Sequence, residues 1–192
     1  MKKIALVAVT ALLLGFVPAA FAQNHGEVGV FADYFKLEAS NTNNLGLGGR
    51  LSFNIHPNVQ LEGELAYDFS RGFTTTVTPT SGGTAILRSD VRILHGLFGP
   101  KLQTGGQAIR AFVTVKGGFV NFKVSNNAAT IGNFTEQLSL SSGTTNGALY
   151  PGAGVEFYAG PFGLRFDIGD EIYFNNGAHN NLRISAGPHI RF

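Results

Sequence analysis

Eleven charged residues fall at alternate positions within strand-like runs: Arg50; Glu62, Glu64 and Asp68; Arg110 and Lys116; Glu156; Arg165 and Asp167; Arg183 and Arg191. Acids and bases so spaced, if enclosed together, support one kind of chemistry. They form ion pairs in a poorly solvated interior, where a charge that loses its partner is strongly unfavourable. A fixed set of pairs fills space as a polar plug, whereas a set that exchanges partners gates a narrow ion path. Other chemistry is thin. His25, His56, His95, His179 and His189 are scattered without an H-x-x-H or H-E-x-x-H pair, and there is no cysteine, so no metal site and no cofactor are expected. His179 lies near Asp170 and Glu171, the one combination with a hydrolytic look, but no serine-centred motif accompanies it. Gly46-Leu-Gly-Gly49 lacks the strand-to-helix context of a phosphate loop and reads as small residues beside the charges.

The elements that would position these charges are strands. Side chains of an extended chain alternate between two faces. Leu45, Leu47, Gly49, Leu51, Phe53 and Ile55 alternate with Gly46, Gly48, Arg50, Ser52, Asn54 and His56. After Pro57-Asn58, Val59, Leu61, Gly63, Leu65, Tyr67 and Phe69 alternate with Gln60, Glu62, Glu64, Ala66 and Asp68. Shorter runs repeat the rhythm from Val28 to Tyr34 and over Ala108–Lys123, Ala148–Tyr158, Phe162–Glu171 and Leu182–Phe192. Ser89–Lys101 makes an eighth strand whose apolar parity is unreadable, as a β-bulge shifting its register would make it. Folding the hairpins about Pro57 and about Gly160-Pro161 places Arg50 across from Glu64 and Glu156 across from Arg165.

Connections alternate as well. His56–Asn58, Gln103–Gln107 and Ala159–Phe162 are tight turns rich in Pro and Gly. Glu38–Asn44, Arg71–Arg88, Val124–Gly147 and Tyr173–Asn181 are longer links of Asn, Thr, Ser and Gly. Eight strands joined in this way predict an all-β fold, an eight-stranded antiparallel up-and-down transmembrane β-barrel with short periplasmic turns and longer extracellular loops. The faces then invert relative to a secreted lipocalin-like barrel. The clearest apolar faces carry no charge, as hydrocarbon demands, and the polar faces mix sparse charges of both signs with Gly and Ser, as a narrow lumen demands. Outer-membrane lipid is the expected partner of the apolar face. Closure leaves no strand edge, so a monomer is expected. Pro151 and Pro188 fall within strands and cost ladder donors. Tyr34, Tyr67, Phe69 and Phe157 sit toward strand ends, where interfacial girdles belong.

The start of the chain predicts export. Lys2-Lys3, an uncharged stretch from Ile4 to Val17 and then Ala20-Phe21-Ala22 make a signal peptide over residues 1–22, cut between Ala22 and Gln23. Of 14 Lys and Arg, two belong to this leader, leaving 12 against 12 Asp and Glu. No excess of positive charge remains to suggest nucleic acid. Residues 23–192 form one expected domain.

The closing strand, with Leu182, Ile184, Ala186, Ile190 and Phe192 on its apolar side, resembles the C-terminal signature of bacterial outer-membrane barrels. Together with the eight-strand pattern, the chain resembles the small OmpA/OmpX-like outer-membrane β-barrel family. That resemblance implies recognition of the last strand by the barrel-assembly machinery, location in the bacterial outer membrane and an interior salt-bridge network. It implies a structural or surface-interaction role through the extracellular loops, with a narrow gated channel as the alternative. Some barrels of this kind modify lipid through a rim Ser or His, and His179 is the only candidate. The expectation is that the protein is not an enzyme.

Overall fold

Alternating polarity makes strand register strict, because a slip of one residue turns every charge toward the oily side. The computed structural model describes residues 25–38, 41–77, 85–104, 106–126 and 144–192. The expected leader and its cleavage site at Ala20, Ala22 and Gln23 lie outside the described residues. The strands are β1 (Gly26–Leu37), β2 (Thr42–His56), β3 (Val59–Val77), β4 (Ala85–Gln103), β5 (Ile109–Asn126), β6 (Thr144–Ala159), β7 (Phe162–Asp170), β8 (Ile172–Phe174), β9 (Ala178–His179) and β10 (Leu182–Arg191). Neighbours pair antiparallel along the chain, β5 pairs with β6, and β10 returns to β1, so the sheet closes on itself. Strands β7 and β8 act as one. Both pair with β6 in a single register, Gly152↔Gly169 and Gly147↔Phe174, and the break at Glu171 lies across from Tyr150-Pro151. The barrel therefore has eight antiparallel strands, and β9 is a short addition folded onto β8.

The prolines explain the gaps. Pro188 pairs with Leu164 on its β7 side, while toward β1 the ladder passes from Gly29↔His189 to Ala32↔Ala186 without a shift. Pro151 pairs with Val115 of β5 and interrupts only the other side. Each proline costs one ladder and leaves the register intact.

Two expectations are corrected. Most of the link 71–88 is strand: β3 runs to Val77, β4 begins at Ala85, and Thr74↔Arg88 through Val77↔Ala85 extend the hairpin. The run Thr74-Thr-Thr-Val77 is β-branched and suits a pleated ribbon. Likewise β5 reaches Asn126 and β6 starts at Thr144, leaving 78–84 and 127–143 outside the described residues. Secondly, β4 contains no bulge against β5; one register holds from Ser89↔Asn126 to Gln103↔Phe112. A shift does occur on its other side, between Asp68 and Arg71 of β3. The parity of β4 is obscure because both its faces are apolar: Val91, Ile93 and Leu97 are buried, while Leu94, Phe98 and Leu102 are exposed.

The barrel is inside out relative to a water-soluble one. Leu47 is 60% exposed and Phe98 61%, whereas Glu62, Lys101, Lys116 and Glu156 are wholly buried. Outward apolar side chains continue on every barrel strand. Such a surface belongs in hydrocarbon, and closure supplies the backbone hydrogen bonds that lipid cannot. The two flanking segments of the hairpin at Pro57 show the expected pairing, Arg50↔Glu64, as do β6 and β7 with Glu156↔Arg165, Phe157↔Leu164 and Val155↔Phe166.

Candidate functional site: a filled lumen

Inward positions bring charges from all sides of the barrel into three stacked groups. Nearest the short turns, the Lys101 ammonium on β4 lies 2.5 Å from Glu156 on β6 and 3.3 Å from Glu27 on β1. The Tyr158 hydroxyl sits between the two carboxylates, 2.8 Å from Glu27 and 2.9 Å from Glu156, and donates its one proton to either. In the middle, Arg165 on β7 reaches across to Glu62 on β3 at 2.5 Å and also meets Asp167 at 2.7 Å. Lys116 on β5 bridges Glu62 and Glu64, at 2.6 Å and 2.7 Å. Arg50 on β2 touches Asp167 at 3.4 Å and donates to Ser185 on β10 at 2.9 Å.

Toward the loops, Arg183 on β10 meets Asp33 at 2.8 Å, Glu64 at 2.8 Å and Glu171 at 3.1 Å. His95 lies between Glu171, at 2.6 Å from Nδ1, and Asp68, at 3.2 Å from Nε2. These contacts span the cylinder, so no level of the ionic column depends on adjacent strands alone.

Rings lying over glycines fill the space between the charges. Phe31 covers Gly48, Phe112 covers Gly154, and Tyr150 covers Gly152 and Gly169; a Cβ on any of these glycines would collide with the ring. Cations then sit on the ring faces turned into the lumen, Arg50 at 4.3 Å from the Phe31 centroid and Arg165 at 4.0 Å from that of Phe112. A guanidinium over a ring face is attracted by the ring quadrupole, more strongly when desolvated. This accounts for phenylalanines on the polar parity.

Above the ionic column lies an apolar layer. Phe35, Leu37, Val91, Ile93, Val120 and Phe122 form a buried cluster with Leu97, Ala148, Tyr150 and Tyr173, all from inward positions. Phe35 meets His95 edge-on at 4.8 Å, and Phe122 meets Tyr173 at 5.0 Å. The lumen is thus packed by salt bridges below and by hydrocarbon above.

Comparison with known proteins bears on the fold. No protein-family model matches the chain, and no curated protein matches it in sequence. Among solved structures, the attachment invasion locus protein Ail of Yersinia pestis, crystallised with the heparin analogue sucrose octasulfate, aligns with TM-score 0.53 at 16% identity, covering 88% of this chain and 97% of Ail. The N-terminal β-barrel domain of Pseudomonas aeruginosa OprF aligns at 0.51 with 14% identity, over 88% and 98% of the two chains. Neisserial surface protein A aligns at 0.54 with 9% identity, over 88% and 96%. This is the fold of the small outer-membrane β-barrels. With an oily exterior on a closed barrel, the chain belongs in the outer membrane.

Like-named sequence features now have places. Within this outer-membrane barrel, Arg50, Glu62, Glu64, Asp68, Lys116, Glu156, Arg165, Asp167 and Arg183 are all buried in the lumen. Arg110 is at its turn end, donating to the Gly106 carbonyl at 2.7 Å and lying 3.8 Å from Glu27. Arg191 is at the rim, donating to the Gly160 carbonyl at 3.3 Å with its guanidinium 4.5 Å from the Tyr158 ring. On β10, Leu182, Ile184 and Ile190 are exposed and face outward, Ala186 is half-buried, and the Phe192 amide donates to Gly26. Glu27, Asp33, His95, Lys101 and Glu171 join the network without having been read as members of it. Glu27 and Asp33 do alternate with apolar neighbours on β1, which was the available signal; His95 and Lys101 were hidden by the ambiguous parity of β4.

Two carboxylate–histidine groups have ligand atoms within 4.8 Å of one another: Glu27, Glu156 and His189, and Asp33, Asp68 and His95. Glu27 and Glu156 are met by Lys101 and Asp33 by Arg183, while Asp68 meets His95. His179 stacks on Tyr173 at 4.8 Å and its Nε2 lies 3.0 Å from the Asn175 carbonyl. Asp170 is engaged by Asn180 and Asn181, and Glu171 by His95 and Arg183, so neither acid orients His179.

Proposed function

We propose that the protein is a sealed surface barrel: a rigid outer-membrane cylinder that conducts nothing and presents its loop segments to partners outside the cell. The observation that carries this reading is the doubly blocked lumen, cross-braced by ion pairs and closed above by the Phe35–Phe122 apolar layer. A hydrophobic constriction resists wetting, and a charged side chain held by two or three partners is not free to pass an ion. An eight-stranded barrel has only enough interior for its own side chains or one small ligand. Assembly through recognition of the Leu182–Phe192 strand is part of the proposal.

Rigid scaffolds commonly carry recognition on their loops. The Ail structure contains a sulfated ligand, but the connecting segments 78–84 and 127–143 carry Glu136 as their one charge amid Thr, Ser, Asn and Gly. That composition favours a neutral, hydrogen-bonding partner over a polyanion.

Refolded protein in planar bilayers should give no discrete conductance. Cells displaying it should lose binding to glycan and protein arrays when 78–84 and 127–143 are replaced by short Gly-Ser turns, with the barrel still folded. Discrete current steps that change on Arg50→Gln or Glu64→Gln would contradict the sealed barrel in favour of a gated channel.

A further inference from the structure

Two cations face outward side by side where β4 meets β5. Arg92 and Lys123 are direct partners in that antiparallel register, and both are exposed. Among the described residues neither has an ion-pair partner. They share the lipid-facing parity: Leu94 and Phe98 lie below Arg92 on β4, and Phe119 lies below Lys123 on β5, all exposed. One pleat, about 7 Å, separates Arg92 from Leu94. The pair therefore stands at the loop-side end of the apolar belt.

The neighbouring strand marks the same level. Tyr67 pairs with Leu94, and the exposed rings of Tyr67 and Phe69 meet edge-on at 6.0 Å, as aromatic residues of an interfacial girdle do. Like charges directly opposite on a sheet repel one another. Lys36, another outward cation, is neutralised by Glu38 at 2.9 Å; among the described residues no acid does this for Arg92 or Lys123. An anion held between them turns repulsion into a two-point grip, and a guanidinium suits the bidentate geometry of a phosphate.

We propose that Arg92 and Lys123 form a clamp for a phosphate group of the anionic glycolipid in the outer leaflet. The guanidinium and ammonium hold the phosphate, while its acyl chains lie against Leu94, Phe98 and Phe119. The clamp is on the outer wall, separate from both the lumen and the loops.

The test uses the refolded full barrel in neutral detergent, with native mass spectrometry and titration against three probes: bisphosphorylated lipid A, the same lipid dephosphorylated, and inorganic phosphate. The phosphorylated lipid should be retained, and Arg92→Gln/Lys123→Gln should weaken it by about 30-fold, each cation near a membrane surface contributing about a factor of five. Lys36→Gln should leave the affinity unchanged. The gel mobility of unheated samples confirms that each variant is folded. Equal retention of dephosphorylated lipid would show acyl recognition only and overturn the proposal. So would inorganic phosphate competing as well as the lipid, or unchanged affinity in the folded double variant.

Discussion

Arg183→Ala should cost about 3–5 kcal/mol of barrel stability, the range for removing one partner of a buried ion pair. Arg183 is among the largest wholly buried side chains and serves Asp33, Glu64 and Glu171 together. Its loss leaves three acids in one enclosed space; Glu64 keeps a second cation in Lys116, and Glu171 keeps its contact with His95. Asp33 keeps none among the described residues. Denaturant unfolding in bilayers, followed by tryptophan-free probes such as heat-modified gel mobility, measures the loss. Adding Asp33→Asn to Arg183→Ala should recover part of it, because the stranded charge is then gone. A loss below 1 kcal/mol would mean that water enters the lumen and solvates the acids.

Phe122→Ala should cost about 3–5 kcal/mol, as large aromatic truncations in packed interiors do. Phe122 is fully buried in the apolar layer and packs edge-on against Tyr173. Truncation opens a cavity among Val91, Val120 and Tyr173 that the strand ladders hold open. It should not make the barrel conduct, because the ionic column below remains braced. Parallel unfolding and bilayer recordings on this variant check both parts. Stability lost without current supports two independent seals; current would place the entire barrier in the apolar layer.

The fold was readable where the two strand faces differ in kind. Leu45–Ile55 and Val59–Phe69 put oily residues on one parity and polar ones on the other, so direction, length and hairpin register followed. The β4 strand resisted because Val91, Ile93 and Leu97 face an apolar interior while Leu94 and Phe98 face lipid. Periodicity cannot distinguish two oily faces. The network was partly readable. Hairpin geometry places Arg50 opposite Glu64, yet the two sit 3.7 Å apart and the guanidinium reaches nearer partners, Ser185 at 2.9 Å and Asp167 at 3.4 Å. Arg165 behaves alike: opposite Glu156, it is 3.4 Å from that acid and 2.5 Å from Glu62 on the far side. Opposition in a hairpin is a local property of two strands. Which long side chain meets which across a closed cylinder depends on tilt and closure, and on the glycines that let Phe31 and Phe112 lie flat.

Because the chain has no cysteine, single cysteines can carry a spin label at successive sites from Gly49 to Phe53. Collision of each label with oxygen, concentrated in hydrocarbon, and with a water-soluble nickel complex reports both faces of β2 in one bilayer sample. Labels at the odd positions should collide freely with oxygen, and those at Arg50 and Ser52 with neither reagent. Nickel access at those even positions would reveal an aqueous pore, and oxygen contact without alternation would contradict the outward-oily, inward-packed barrel altogether.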